Sequence, residues 1–254
     1  MGGWLSEAPV ARFEPNLSYR PTVSVVILSH RPEMLPKALR SVWEQTVDPQ
    51  LVEVVVKFGA VYHGRKLNEA LKAASGEYIV ILCDDDELAP TFLRDCLAVM
   101  RVVNRDRVLV DFVYTDIFLF GGPDGDRPMA LPDFSLAATG QQAVPWMTAL
   151  FHRSVFERLE AQDGYAYDPD QQYLDWDLDK RMARAGMRGE RIPEPLFRAR
   201  EHAANGHKQM EHGWAFHLMR QKFLFRDPPK APEPEFVYPP WYEGRPDILL
   251  LETR

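Results

Sequence analysis

Two features that are scarce in this 254-residue sequence limit the kind of protein it can encode. The two cysteines, Cys83 and Cys96, are too few for a disulfide scaffold, which favours a reducing compartment. No apolar run reaches the roughly 20 residues that a membrane-spanning helix needs, and the first residues lack the basic-then-apolar order of a signal peptide. We therefore expect a cytoplasmic protein without a transmembrane segment.

An excess of positive charge is also absent, since the net charge is -7. A chain with this balance has no general attraction to nucleic-acid backbones or anionic membranes. Hydrophobic residues make up 46% of the chain and charged residues 26%, which is a globular composition. A chain of this length can bury the core of one large domain.

Apolar segments of strand length alternate with helical patterns in the first half of the sequence. Nearly continuous apolar runs at 23–28, 51–56 and 77–82 predict strands that are covered on both faces. A helix should follow the first strand with Pro32 in its first turn, and residues 66–74 predict a second helix. The inward face of the first helix should carry Leu35, Ala38, Leu39, Val42 and Trp43. This alternation predicts an α/β fold with a mainly parallel, doubly wound sheet covered by helices.

The second half has a less regular pattern. A turn at 121–125 predicts a hairpin, and the stretch from there to about residue 142 lacks periodicity and should be a loop. Further elements are expected as strands at 108–114 and 147–151 and as helices at 91–103, 154–159, 175–185 and 207–225. The prolines after residue 227 predict an extended arm that wraps the domain or reaches a partner.

The third apolar run ends in four consecutive acids at positions 84–87. Adjacent carboxylates repel by about 2–3 kcal/mol per pair at ~6 Å and an effective dielectric of ~20. A bound divalent cation would replace this repulsion by attraction. Mg²⁺ and Mn²⁺ take oxygen ligands of this kind. The alternative is a solvated acidic loop whose repulsion is screened by water. Because ligands bind beyond the carboxyl ends of strands in such sheets, Ser29, His30 and Arg31 should lie at the same edge.

The order of these segments resembles the nucleotide-sugar-binding half of the family 2 glycosyltransferases. The resemblance covers roughly residues 21–100. It rests on the first strand, the segment 41–46, Asn68, the segment 75–79 and the acid run with Pro90 beyond it. These motifs are individually weak, and their order and spacing make the match specific.

The resemblance implies the GT-A fold and a division of the chain. Residues 1–226 would form a single GT-A domain, with a nucleotide-sugar-binding half at about 21–116 and an acceptor-side half at about 117–226. Residues 227–254 would form the Pro-rich C-terminal arm.

In that family the acid cluster is the DXD element, which contacts the donor's ribose and binds the divalent ion, Mn²⁺ or Mg²⁺, that bridges its diphosphate. Two registers fit this sequence. One places Cys83 at the customary first aspartate, and the other pairs Asp84 with Asp86. The resemblance thus implies Asp86 and Asp84 as metal ligands, and Asp84 and Asp85 as donor contacts. Glu87 has the simpler interpretation of a solvated or helix-start charge.

Further residues complete the donor side that the resemblance implies, namely Ser29, His30, Arg31, Lys66 and Asn68. Lys66 would add positive charge at the diphosphate, and its alternative is an ordinary surface base. The segment 200–202 resembles a late Arg-x-His segment near the diphosphate, so His202 is a third candidate metal ligand. The alternative for His202 is a structural histidine.

The segment 173–178 resembles the family's Glu-Asp-x-Asp-Leu motif, whose first aspartate is the catalytic base. That position is Asp175 here, while Leu174 replaces the usual glutamate. A single carboxylate placed to take the proton of an attacking hydroxyl is what bond inversion requires. The alternative for Asp175 is a helix N-cap. Trp176 and Trp146 are candidate acceptor-side platforms, with core packing as their alternative.

These features predict a metal-dependent inverting glycosyltransferase that moves one sugar from a nucleotide-sugar donor to an acceptor hydroxyl. The second strand runs into residues 57–60 without the acidic pair that reads the nucleotide base in many relatives, so the base stays open. The acceptor could be a saccharide, a lipid-linked glycan, a protein or a modified nucleic acid, and the oligomeric state is equally open. The alternatives are a non-catalytic nucleotide-sugar-binding module and a sugar nucleotidyltransferase. The latter is disfavoured because no glycine-rich loop follows the first strand.

Overall fold

The structure is a computed structural model that describes residues 21–59, 64–105, 110–171, 173–201 and 249–251. Three sequence predictions fall outside these residues: His202, the helix at 207–225 and most of the Pro-rich arm. Within the described parts of the chain, no helix combines the length and the apolar composition that crossing a membrane requires.

The first half of the chain forms two consecutive strand–helix–strand units. Strand β1 (Val23–Ser29) is buried along its whole length, as its continuous apolar sequence predicts. It pairs in parallel with β2 (Val52–Phe58) on one side and with β3 (Tyr78–Cys83) on the other. The connections are helices α1 (Leu35–Trp43) and α2 (Gly64–Ala73). The three predicted strands and both helices are confirmed, with boundaries shifted by one to three residues.

Helix α1 differs from its prediction in its first residue and in the position of Trp43. It begins at Leu35 with Pro36 in its first turn, because residues 31–34 form a separate turn closed by the N–H of Met34 on the carbonyl of Arg31. Pro32 therefore precedes the helix. Trp43 is 45% exposed and does not join the buried face. Eight residues after Leu35, it is rotated by about 80° from that residue around the helix axis.

The chain after β3 adds strands of both directions to the same sheet. These strands are β4 (Glu87–Leu88), β5 (Phe112–Phe120), β6 (Arg127–Met129), β7 (Leu150–His152), β8 (Gly189–Arg200) and β9 (Leu249–Leu251). Among the described residues, the sheet order is β4-β8-β5-β7-β3-β1-β2-β9, with β6 paired to β5. Strand β7 runs antiparallel to β3, whereas β9 runs parallel to β2. The sheet is thus parallel around β1 and mixed beyond β3.

Four further helices lie between these strands, namely α3 (Phe92–Arg105), α4 (Leu136–Gln141), α5 (Ser154–Asp163) and α6 (Leu174–Arg184). The predicted hairpin is confirmed between β5 and β6, and Gly121 and Gly125 in its turn both have a φ of 76°. The stretch predicted as a loop contains β6 and α4. Ser135 starts α4 by accepting the N–H of Ala138 on its hydroxyl oxygen, which is a helix N-cap.

Strand β8 was not predicted, although it has 12 residues. Its sequence contains Pro193 and Pro195, which cannot donate to a ladder and therefore argue against a strand. The structure accommodates them by an irregularity, since the pairing of β8 with β5 shifts register between Thr115 and Ile117. The hydroxyl of Thr115 then accepts the N–H of Phe197 at 3.1 Å.

One hydrophobic core runs through both halves of the described chain. It includes Val26 and Ile81 from the parallel strands and Leu150, Leu178 and Phe197 from the second half. The predicted α/β class is confirmed, and the parallel strands and their helices place the ends of β1 and β3 side by side.

Candidate functional site

The carboxyl ends of β1 and β3 bring two predicted segments together. Leu28 pairs with Cys83 in the parallel ladder, so the acid run leaves the sheet beside Ser29, His30 and Arg31. This neighbourhood follows from strand order alone, because parallel neighbours end at the same edge. The candidate site is built on this edge.

Asp84 is fully buried and acts as the acceptor that fixes the turn after β1. Its Oδ2 accepts the backbone N–H groups of His30 and Arg31 at 2.8 and 2.5 Å, and the Ser29 hydroxyl at 3.2 Å. Its Oδ1 accepts from the guanidinium of Arg31, with Nη2 at 3.1 Å. Burial raises the pKa of Asp84, while His30 and Arg31 act in the opposite direction. Both carboxylate oxygens are therefore engaged in holding the turn.

His30 lies over this turn and is 22% exposed at its side chain. Its Nδ1 is buried, lies 3.9 Å from Asp84 Oδ2 and has no hydrogen-bond partner among the described residues. Burial lowers the pKa of His30, although Asp84 opposes the shift. The ring is thus a neutral group at the rim of the site near neutral pH.

Asp86 is held from the opposite side by the end of β8. The backbone N–H of Arg200 donates to Asp86 Oδ1 at 2.9 Å, and Arg200 Nε donates to the carbonyl of Asp85 at 3.1 Å. Arg200 Nη2 also reaches Glu87 at 3.0 Å. Glu87 is therefore a half-buried ion-pair partner and not a solvated charge. Burial, followed by the neighbouring Asp85, raises the pKa of Asp86 well above its usual range.

Three side chains of this edge could hold a metal ion. Ligand atoms of Cys83, Asp85 and Asp86 all lie within 4.8 Å of one another. Asp86 is only 8% exposed, and no residue that the structure describes donates a hydrogen bond to its Oδ2. A buried carboxylate with a raised pKa and an open oxygen fits a cation, because burial disfavours the negative charge of the carboxylate and the positive ion compensates it. Asp84 is not part of this group.

Asp175 lies in the first turn of α6 and is half-buried. Tyr173 occupies the N-cap position, so the alternative interpretation of Asp175 as the capping residue is wrong. The two other acids of this helix are fully buried: Asp177 pairs with Arg181 at 2.9 Å, and burial followed by Asp175 raises the pKa of Asp179 well above its usual range. Asp175 is therefore the acid of α6 that can meet a ligand.

A buried tyrosine links the acid edge to α6. Burial raises the pKa of Tyr167 well above its usual range, and Asp179, Asp175 and Cys83 all raise it further. Groups of the acid edge and of α6 thus both act on the pKa of this one buried side chain. Asn68 fixes this residue, since its amide accepts the N–H of Tyr167 at 2.8 Å and donates to its carbonyl at 2.7 Å. No local pattern in the sequence predicts this role for Asn68 or Tyr167.

Lys66 is buried and not an ordinary surface base. Its side chain crosses the backbone of Gly59, just beyond the end of β2, where an added Cβ would lie 2.5 Å from the Lys66 Nζ. A side chain at position 59 would therefore displace the lysine. This packing directs Lys66 along the same edge of the sheet that carries the acid run.

The two candidate tryptophans lie near α6. Trp176 donates its indole N–H to the carbonyl of Thr139 at 2.7 Å, and Lys180 lies 4.5 Å from the centre of its ring. Trp146 has a φ of 72°, which is unusual for a residue with a side chain. Both residues are half-buried, and Trp146 packs against the hydrophobic core, which was the alternative for this residue.

Comparison with known proteins identifies the fold. No protein-family model and no curated protein sequence matches this chain. Among solved structures, S. aureus TarS 1–349 in complex with UDP-GlcNAc matches with a TM-score of 0.62 at 15% identity, covering 82% of this chain and 68% of that chain. The mannosyltransferase PcManGT from Pyrobaculum calidifontis, in complex with GDP-Man and Mn²⁺, matches with a TM-score of 0.51 at 20% identity, covering 83% and 64%.

These likenesses show that the chain has the GT-A fold, as its sequence predicted. A further structure of TarS 1–349 matches with a TM-score of 0.55, and this chain spans 60% of its length. At 15–20% identity the similarity defines the class of fold, and activity has to be argued from the site itself.

Proposed function

We propose that this protein is a metal-dependent, inverting glycosyltransferase of the family 2 type, which transfers one sugar from a nucleotide-sugar donor to an acceptor hydroxyl. One observation carries the proposal. On a GT-A fold, the carboxyl ends of β1 and β3 carry the compact group of Cys83, Asp85 and Asp86, which could hold an ion, and the first turn of α6 carries the accessible carboxylate of Asp175.

The acid edge would bind the donor's diphosphate through the ion. A bound Mn²⁺ or Mg²⁺ would neutralise the negative charge that develops on the departing diphosphate. Asp85 and Asp86 would hold that ion, and the turn of Ser29, His30 and Arg31 would border the nucleotide. Buried Lys66 would add positive charge along the same edge.

Asp175 would act as the general base. Inversion requires a carboxylate on the acceptor side that takes the hydroxyl proton while the oxygen attacks the anomeric carbon in line. Asp175 is the accessible acid of α6, and it lies in the first turn, where the helix N-terminus favours negative charge. Trp176 and Trp146 would border the acceptor.

The donor is proposed to be a UDP or GDP sugar, because the compared structures contain UDP-GlcNAc and GDP-Man. The acceptor side is formed by the second half of the chain, where a saccharide, a lipid-linked glycan, a protein or a modified nucleic acid could be placed. A cytoplasmic location agrees with the free state of Cys83 and Cys96.

The proposal is tested with Asp175→Asn. We expect about a 10²–10⁴-fold loss of transfer from the best donor, since this is the usual contribution of a general base. The thermal stabilisation by that donor with Mn²⁺ should be unchanged, because a ligand stabilises the fold by mass action whether or not it reacts. Asp124→Asn, in the exposed β5–β6 turn, is the matched control and should retain full activity.

The best donor is first identified by measuring the thermal shift of the protein with a panel of nucleotide sugars, with and without Mn²⁺. Transfer is then measured as release of the nucleoside diphosphate with a panel of acceptors. Full activity of Asp175→Asn would remove the residue from the mechanism. Metal-dependent donor binding without release of the nucleoside diphosphate in the presence of any acceptor would instead support a non-catalytic nucleotide-sugar-binding module. The replacement of the usual glutamate by Leu174 is the observation that motivates this alternative.

A further inference from the structure

We infer that Cys83 is itself a ligand of the divalent ion, which would be held by one sulfur and by carboxylate oxygens of Asp85 and Asp86. Because this concerns the same ion, it rests on the proposed function. It goes further by adding a sulfur ligand to the site, where the resemblance implied the carboxylates of Asp84 and Asp86 together with His202.

The turn after β3 brings the three side chains together. The N–H of Asp86 bonds to the carbonyl of Cys83 at 3.3 Å, which folds the chain back on itself. The ligand atoms then lie within 4.8 Å of one another. With metal–sulfur bonds of about 2.3 Å and metal–oxygen bonds of about 2.0–2.2 Å, two ligands on opposite sides of an ion are about 4.3–4.5 Å apart. The observed limit of 4.8 Å is close to this span, so the three side chains are near enough to be ligands of one ion.

Asp84 has a different role at this edge. Both Asp84 oxygens accept hydrogen bonds from the turn after β1, so the carboxylate is committed to that turn. A second, independent observation concerns Asp86, which is more than nine-tenths buried and has an oxygen without a donor among the described residues. The Asp86 carboxylate and the Cys83 sulfur belong to the same compact group.

The two cysteines of the chain occupy contrasting environments. Cys83 is half-buried at the end of β3, whereas Cys96 is fully buried in the hydrophobic core within α3. Burial strongly raises the pKa of Cys96. Cys96 therefore provides a natural internal control, because it is a thiol that cannot reach an ion at the sheet edge.

A sulfur ligand changes which metal the site prefers. Mg²⁺ is bound through oxygen, whereas thiolate ligands favour softer ions such as Zn²⁺ and Co²⁺. The site is therefore expected to bind Co²⁺ and Zn²⁺ more tightly than Mg²⁺, with Mn²⁺ between them. Cys83→Asp would create an all-oxygen site and should shift the preference towards Mg²⁺ and Mn²⁺.

The test is a Co²⁺ titration of the full chain, alone and with UDP or GDP, followed by absorption spectroscopy. The wild type should develop a near-ultraviolet thiolate-to-cobalt charge-transfer band. Cys83→Ser should lose the band and bind Co²⁺ at least about tenfold more weakly, because residues that only orient ligands already contribute about 10–100-fold. Cys96→Ser should keep both, and thermal unfolding without metal verifies that each variant is folded.

The outcomes separate this inference from the proposed function. If Co²⁺ binds without the band, or if Cys83→Ser and Cys83→Asp bind metals as the wild type does, Cys83 is not a ligand although metal-dependent transfer stands. If no divalent ion binds with or without nucleotide, both proposals fail. A band that is lost in Cys83→Ser, together with a Co²⁺-to-Mg²⁺ preference that falls in Cys83→Asp, establishes the ligand.

Discussion

Replacing Asp84 by asparagine should destabilise the fold, although the change adds no volume and removes a buried charge. Both oxygens of Asp84 accept from groups that can only donate: the N–H groups of His30 and Arg31 at Oδ2, and the Arg31 guanidinium at Oδ1. An asparagine must turn its NH₂ group towards one of these two sets. In either orientation, donors face each other in a buried site and at least one remains unpaired.

The expected cost follows from the bonds that are lost. Hydrogen bonds to charged groups contribute about 1.5–3 kcal/mol each, and removing one partner of a buried ion pair costs about 3–5 kcal/mol. We expect the free energy of unfolding to fall by about 3 kcal/mol. For a chain of this size that corresponds to a Tm lower by about 6–12 °C. Urea and thermal unfolding, followed by circular dichroism at neutral pH, measure both quantities.

Asp86→Asn is the matched control, since it removes a neighbouring buried charge by the same chemistry. Its amide can keep the oxygen towards the single N–H of Arg200, and the repulsion between Asp86 and Asp85 is relieved. Its free energy of unfolding should stay within about 1 kcal/mol of the wild type. Equal losses in the two variants, or a loss below about 1 kcal/mol for Asp84→Asn, would refute the assignment of Asp84 to the turn.

Substitutions at two further positions, Asp179 and Asn68, test contacts made by the second half of the chain. Because burial raises the pKa of Asp179 well above its usual range, the folded state binds a proton that the unfolded state releases, and stability should fall as pH rises above about 4. Asp179→Asn should remove a slope of up to about 1.4 kcal/mol per pH unit, measured by urea unfolding between about pH 5 and 8, and an unchanged slope would contradict the burial argument. Asn68→Ala leaves the backbone N–H and carbonyl of Tyr167 unpaired, so unfolding should require about 2–4 kcal/mol less. Asn68→Asp keeps the acceptor but places an oxygen against the carbonyl of Tyr167, so it should not recover this loss in the same assay, and wild-type stability of either variant would contradict this bonding pattern.

The first half of the fold was predictable because each element has a strong local pattern. The continuous apolar sequence of β1 matches its complete burial, and the alternation of such runs with helical spacing indicates a parallel sheet. Strand β8 was not predictable, because its two prolines are tolerated only through an irregular pairing with β5. The two-residue strand β4 is too short to leave a pattern at all.

The candidate site was predictable where strand order decides it. Ser29, His30 and Arg31 lie beside the acid run because β1 and β3 are parallel neighbours. The partners of Arg200 and Asn68 could not be predicted, since they join residues 114 and 99 positions apart in the sequence. Such contacts depend on how the second half folds over the first, and no local spacing encodes them.

In the turn that Asp84 holds, the backbone and the side chain of the same residue have separate roles. The backbone N–H groups of His30 and Arg31 fix the turn, and these groups are the same whichever side chain occupies the position. The His30 ring, whose Nδ1 has no hydrogen-bond partner among the described residues, is not needed for that purpose. Position 30 can therefore hold any residue that has a backbone N–H while the turn keeps its shape, whereas position 84 has no such freedom.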